Sequence, residues 1–420
     1  MSLRTSLAPF QRPKLRRLLL AQLCADIGDG VVTVALPLYV YELTGSASAT
    51  SAAFVAEVLV GMVFSLGGGV LADRRDRHRN LVVSYVLRAG LVMALVASPV
   101  VWLALAFGIG ARAMGMLDNP SFDALIPSLA EGDLQQVVAA RRLTQAASLF
   151  VGPAIGGLVV SVIGARSTLG ASSVLFVLGL ILLVALRGID ATVAERKATH
   201  HGQARSEVIS SIFDGLRIVR DTPFARRLLA YWAVSAATVS IVLIEAIVWF
   251  AKDLKVSDSW YGLSIAGYGI GSVVGLAWAG SRTFKMSLPS ILMRAIPLYA
   301  FCASIAVAWH VPWLMAVSWF GWGVALGPEL VIGETELINL IPEQARGRVS
   351  AAQSIITQFG LAVGYAVAGP MVDRLGARTT NGIVSLITLA LLGFWVGPFW
   401  RQRTSVSAAS VVAGSSPSDR

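Results

Sequence analysis

Gln22, Asp26, Asp29 and Thr33 are spaced four, three and four residues apart, which places all four on one face of a helix. The segment that carries them, 18–41, is otherwise apolar and long enough to cross a hydrocarbon core of ~30 Å. Charge exposed to lipid costs several kcal/mol, so this polar stripe must line a watery cavity or face another span. A carboxylate exposed alternately to each side of a membrane can carry a proton. Asp29, near mid-membrane, is the first candidate, and Asp26 either shares the task or pairs with a cation. Glu329 is a further proton-coupling candidate, deep in its segment beside Gly327-Pro328, where the missing backbone donor is expected to break the helix. Arg112, in the middle of 102–125, is the expected exchange partner of Asp29 or Asp26. Gln22, Thr33, Glu57, Glu245, Trp319 and Trp322 are candidates for a substrate cavity. For Glu57 and Glu245 a structural role reads equally well, and for the two tryptophans so does packing. Arg88 and Arg294 lie shallow enough to extend their head groups toward the interface.

The elements that must position these groups are membrane spans. The chain has 420 residues, of which 55% are hydrophobic and 14% charged. Its apolar runs recur at 18–41, 50–72, 81–99, 102–125, 139–162, 169–186, 228–251, 260–280, 289–309, 313–338, 349–371 and 379–399. The fold class is therefore an all-α membrane protein of twelve transmembrane helices in two six-helix halves. Residues 1–17 form a cytoplasmic N-tail, 18–186 the first bundle, 187–227 a cytoplasmic linker, 228–400 the second bundle and 401–420 a disordered cytoplasmic C-tail. With the N-terminus inside, 26 of the 34 lysines and arginines fall on cytoplasmic segments, as the positive-inside rule requires. That distribution explains the net charge of +10 without a nucleic-acid partner.

The first apolar run holds Asp26 and Asp29 and no clear small-residue cleavage site, so it reads as a retained span and not a signal peptide. Cys24 and Cys302, both in apolar helix, suggest neither a disulfide nor a metal site. His200-His201 reads as solvated linker. Apolar residues at Val208, Ile209, Ile212, Leu216 and Val219 mark 206–220 as an amphipathic helix on the inner membrane face. No Walker loop or other enzyme signature is present, and no cofactor or metal is expected.

The halves repeat. A shift of 212 residues aligns Ser148, Gly152, Gly156, Gly157, Gly164, Ala165 and Arg166 with Gly360, Gly364, Ala368, Gly369, Gly376, Ala377 and Arg378. Small residues at four-residue spacing let helix backbones approach closely, so packing alone accounts for such stripes.

Between the second and third runs, Gly69, Asp73, Arg74 and Arg77 fit the pattern Gly, three residues, Asp-Arg, one residue, Gly-Arg-Lys/Arg, with Asp76 in place of the second glycine. Ser148, Gly152, Pro153, Gly156 and Gly157 fit an antiporter-type Gly-x3-Gly-Pro-x2-Gly-Gly, with serine first. Asp118–Pro127 and Ile341–Val349 fit two further helix-end patterns. Together these residues resemble the major facilitator superfamily, in its drug, macrolide and siderophore exporter branch, from Ala25 to Gly376. The resemblance implies a substrate site between the halves and alternating access. It also implies a cytoplasmic gate in which Asp73 docks near Ser350 and Asp123 pairs with Arg74 or Arg77.

The implied function is proton-driven export of amphipathic small molecules from the bacterial inner membrane by a monomer with both termini cytoplasmic. A nutrient importer or uniporter on the same fold stands as an alternative, and so does a membrane scaffold or sensor that no longer transports.

Overall fold

The computed structural model describes residues 12–72, 77–186 and 204–414, apart from positions 99, 117, 119–120, 123–124, 127–133, 258, 282–285 and 310. Asp73, Arg74 and Asp123 of the expected cytoplasmic gate lie outside the described residues. Gly69 and Arg77 fall at the facing ends of the two helices that the loop joins.

The N-terminal half contains α1 (Pro13–Thr44), α2 (Ala47–Ala72), α3 (Arg77–Ala97), α4 (Val101–Gly115), α5 (Leu134–Ile163) and α6 (Ala165–Val184). A linker helix, α7 (Ala204–Asp221), leads to α8 (Pro223–Val248), which continues in a π turn at Trp249–Asp253. Then follow α9 (Ser259–Ala279), α10 (Leu288–Trp309), α11 (Pro312–Leu340) and α12 (Arg346–Gly414). Pro13, Pro223 and Pro312 each open a helix, where a missing N–H is harmless. Gly45 closes α1 at φ 61°, its N–H bonded to Tyr41 O.

The long α12 is two spans. At Gly376 the backbone leaves the helical region with φ 77° and ψ 161°. Gly164, between α5 and α6, has nearly the same conformation, φ 78° and ψ 167°. Both lie in the region glycine adopts without steric cost, and they are the pair that the 212-residue shift aligns. Thr168 and Thr380 repeat the same hydroxyl bond, to the Gly164 and Gly376 carbonyls at 2.7 and 2.8 Å. The two halves thus share a turn down to its side-chain bond.

Among the described residues, eight helical stretches are long and apolar enough to cross a membrane, and Glu343–Ala390 holds two spans in one of them. Ala47–Met62, Val101–Gly115 and Ala147–Ile163 are shorter apolar helices. Large apolar side chains such as Trp102, Val162 and Leu386 stand 73%, 81% and 68% exposed. Lipid facing them explains that exposure.

In the first half, α1 packs on α5 and α6, and α3 on α4 and α6; in the second, α9 and α10 pack on α11, while α8 and α10 pack on α12. Two seams join the halves, α5 on α9 and α2 on α12. The small residues of α5 serve two partners. Cβ atoms at Gly30 and Gly156 would come within 2.6 Å of Gly152 and 2.8 Å of Val31, so these sites let α5 lie directly on α1. Gly157 instead meets Gly262 of α9, backbone to backbone.

Helix α11 runs unbroken through Pro328, against the expected break. Gly327 lies flat on Gly275 of α9, so α11 packs directly on its neighbour beside the proline. The linker helix, expected to lie on the membrane, turns its small residues to α12: Gly215 abuts the Arg348 carbonyl, and Asp214 pairs with Arg348 at 3.3 Å.

Candidate functional site

Three cavities meet between and within the halves. A chamber of about 670 Å³ lies at their junction, walled by Phe54, Tyr261, Tyr268, Trp319, Trp322 and Tyr365, with Thr33 and Pro153 on its N-terminal side. A recess of about 310 Å³ in the first half is lined by Asp29, Thr33, Glu57, Arg112 and Phe176, among others. Thr33 borders both spaces. A third cavity, about 540 Å³, lies inside the second bundle between Tyr231, Tyr299, Trp322 and Ser385. It shares Trp322 and Val242 with the chamber.

The chamber is aromatic because two bands of rings converge on it. Phe54 of α2 stacks on Tyr365 of α12 with centroids 4.3 Å apart and planes 4° from parallel. Trp319 and Trp322 of α11 cross edge to face at 6.3 Å, and Trp319 meets Tyr261 of α9 in the same way. Such faces take apolar and planar groups in stacked or edge-to-face contact.

The polar stripe of α1 turns into the bundle and toward the recess. Gln22 is buried; its amide donates to Asp26 at 2.8 Å and its oxygen accepts from the Tyr85 hydroxyl at 3.2 Å. Asp26 pairs with Arg141 of α5 at 3.3 Å. Asp29 pairs with Arg88 of α3, which also pairs with Asp118. Arg112 does not reach α1; its Nε lies 3.0 Å from Glu57 of α2. The partner of Asp29 is therefore Arg88, and Arg112 serves Glu57.

Arg88 does not reach for the membrane interface. It is 1% exposed, and its guanidinium carbon sits 4.2 Å from the Phe176 ring centre. A Cβ at position 115 would lie 3.1 Å from that carbon, so Gly115 makes room for the cation. Counting from the end of its segment places Arg88 near the interface. Its burial follows from Asp118, which lies just past α4 and carries no periodic signal. Arg141, at the start of its apolar run, likewise carries no signal of a partner, and only the tertiary fold brings it to Asp26.

In the second half, Glu329 is buried and accepts hydrogen bonds from the Tyr231 and Tyr299 hydroxyls at 2.9 and 2.8 Å, both on one oxygen. Tyr299 in turn lies 5.7 Å from Trp322, ring to ring, so the acid sits one side chain behind the chamber wall. Glu245 does not line the chamber. It is fully buried in the bundle, accepting from Asn381 at 2.9 Å, and Asn381 also donates to Ala303 O at 3.1 Å. Ser148, Gly152, Pro153, Gly156 and Gly157 lie along α5, with Pro153 on the chamber wall.

The helices that bring Phe54 and Tyr365 to the chamber are also joined by a contact with no sequence signal. Asp373, at the end of the first span of α12, accepts from the backbone N–H of Ala47 at 3.1 Å and of Ser48 at 2.9 Å, and from the Ser46 hydroxyl at 3.3 Å. It caps α2 of the opposite half, where the helix dipole favours an anion. Partial burial pushes this carboxyl up, but the hydrogen bonds from Ser48, Ala47 and Ser46 together hold it below the usual range. Gly369 lies against the Ser48 backbone nearby. Across the other seam, Ser259 donates to the Ser161 carbonyl at 2.6 Å.

A two-bundle helical protein with a chamber at the seam and paired charge in the bundle beside it has the architecture of a membrane transporter. Residues 18–275 match the model of the Major Facilitator Superfamily, and the chain belongs to that family. It is 27% identical over 400 residues to the multidrug efflux pump Tap of Mycolicibacterium fortuitum, covering 91% of this chain and 94% of that one. It is 24% identical over 396 residues to the enterobactin exporter EntS of Escherichia coli O1:K1 / APEC, covering 90% and 91%. The nucleoside transporter NupG shares the fold with a TM-score of 0.72 over 92% of this chain and 99% of its own, at 12% identity. A bacterial homologue of the iron transporter ferroportin, in an inward-facing state, gives 0.64 over 94% and 100%, at 14% identity.

Proposed function

We propose that the chain is a proton-coupled exporter of amphipathic small molecules in the bacterial inner membrane, working as a monomer by alternating access with both termini cytoplasmic. The observation that carries this reading is the contact of two unlike spaces at Thr33: an aromatic chamber on the substrate side and a recess holding Asp29 on the ion side. Proton and substrate can thus act on the same helix, α1, from adjacent positions. The relatives named for multidrug efflux and for enterobactin export, aligned over nine-tenths of the chain, favour the outward direction over the importer and the scaffold.

In this reading the Asp373 end is the periplasmic side, and the chamber waits for substrate from the cytoplasmic side. An amphipathic molecule enters between the aromatic walls. Opening of the Asp373 end then releases it, and a proton taken up at Asp29 returns inward. That return gains about 2.3 kcal/mol per 100 mV. Glu329, behind Trp322, is a second acid close enough to feel the substrate, and Asp26 with Arg141 positions the inner end of the stripe.

The reading is tested by growing strains with and without the intact gene on ethidium, a macrolide and a catecholate siderophore, with and without a protonophore. Export predicts greater sensitivity of the deletion strain to at least one of these and loss of the difference under the protonophore. Equal sensitivity in both strains, together with uptake of a nutrient that needs the gene, would instead establish the importer.

A further inference from the structure

Arg88 stands where three helices and the end of α4 converge, and its charge is claimed twice. Nη2 meets Asp29 of α1, and Nη1 meets Asp118. The Asp29 side chain keeps 30% of its exposure and lines the recess, whereas the Asp118 side chain keeps 2%. Oδ1 of Asp118 and Nε of Arg88 are both buried without a hydrogen-bond partner.

With both acids ionised, two carboxylates and one guanidinium leave one negative charge unbalanced in the bundle. An unmatched buried charge costs several kcal/mol. The neighbouring charges do not balance it, because Asp26 has Arg141 and Glu57 has Arg112. Among the described residues, the other groups facing the trio are Ser84 and Tyr85 from α3 and the Phe176 ring from α6, none of which carries a positive charge.

We propose that Asp118 is the second acid of a one-proton site, in which Asp29 and Asp118 share a single proton across Arg88. A proton arriving from the recess adds to the Asp29 carboxylate to give the acid, and Arg88 then pairs wholly with Asp118. Release reverses this: the O–H bond at Asp29 breaks, the proton leaves through the recess, and Arg88 divides its bonds again. The guanidinium keeps its protons throughout. Asp118 is thus a positioning residue that lets the cation release Asp29 without standing alone. Its physiological use rests on the proton-coupled export reading; the charge balance does not.

The test needs no transported molecule. Purified full-length protein in detergent is titrated from alkaline to acid pH while the infrared C=O stretch of protonated carboxyls is recorded. Wild type should gain a band as the pH falls that Asp29→Asn lacks. Asp118→Asn leaves a balanced Asp29–Arg88 pair and should lose the band too, while Asp118→Glu should retain it. Arg88→Gln combined with Asp118→Asn leaves Asp29 without a cation and should restore it. A band that persists unchanged in Asp118→Asn, or is missing from wild type, overturns the proposal. If Asp118→Asn does not assemble, Asp118→Glu decides: a band whose midpoint moves from that of wild type supports the shared proton, and an unmoved midpoint overturns it. The predicted band pattern with no proton-driven efflux would contradict the export reading alone.

Discussion

Among the described residues of the first half, the buried or half-buried acids in the spans face guanidinium groups: Asp26 with Arg141, Asp29 and Asp118 with Arg88, Glu57 with Arg112. In the second half Glu329 takes phenol donors and Glu245 an amide. This contrast has measurable consequences. A glutamine at 329 still offers an oxygen to both tyrosines, so Glu329→Gln should leave thermal stability nearly unchanged. Tyr299→Phe removes a donor from a buried acid and should cost about 1–2 kcal/mol, seen as a lower midpoint of unfolding in detergent. A larger loss for the glutamine variant than for the phenylalanine variant contradicts this account of the cluster.

Asp373 supplies a pH test outside the membrane. Its carboxyl is held below the usual range, so the cap on α2 is fully present above the ordinary carboxylate pKa. The cap is lost only as pH falls through the lowered value. Cross-linking of Ser48→Cys to Gly369→Cys should therefore be constant between neutral and mildly acidic pH and fall in strong acid. Asp373→Asn should lower it at neutral pH and remove the further fall in strong acid.

At the scale of elements, two seams join the halves, and glycine keeps both thin. Gly157 on α5 and Gly262 on α9 touch through their backbones, so Gly157→Leu forces the helices apart and should hold the Asp373 end open. Maleimide labelling of a cysteine placed at Thr33 from the periplasmic side measures this. Stronger labelling than in the parent is expected, and unchanged labelling contradicts the closing role of the seam.

The small-residue stripe on α5 was legible in sequence, because spacing of four is a helix property. That Gly152 and Gly156 serve α1 while Gly157 serves the other half was not legible, since adjacent glycines differ only in direction around the helix. The break expected at Pro328 failed for a related reason. A proline weakens one helix locally, but packing of Gly327 on Gly275 is a property of two helices. The apolar face of α7 signals burial without saying against what, and Gly215 meets Arg348 and Ala352 of α12.

At the scale of the whole molecule, hydropathy, charge asymmetry and the repeat carried the architecture. Gly164 and Gly376, aligned by a shift read from sequence alone, adopt the same backbone geometry. Membrane architecture is legible in this way because lipid imposes length and apolarity on each span separately. The ion network was less legible because it depends on contacts between spans. Asp29 stood out as a charge in lipid, yet its cation, Arg88, lies 59 positions away and was read as interfacial. Asp373, between two spans and next to Arg374, gave no hint of capping α2 of the other half.

The central claim is that proton return through Asp29 drives export through the aromatic chamber. Everted vesicles loaded by respiration-driven acidification and given ethidium test it most directly, with wild type compared with Asp29→Asn at equal expression. The account predicts that wild-type vesicles accumulate the dye and release it when a protonophore is added, and that Asp29→Asn shows neither effect while still exchanging dye across the membrane without a gradient. Gradient-driven accumulation by Asp29→Asn at the wild-type rate would contradict it.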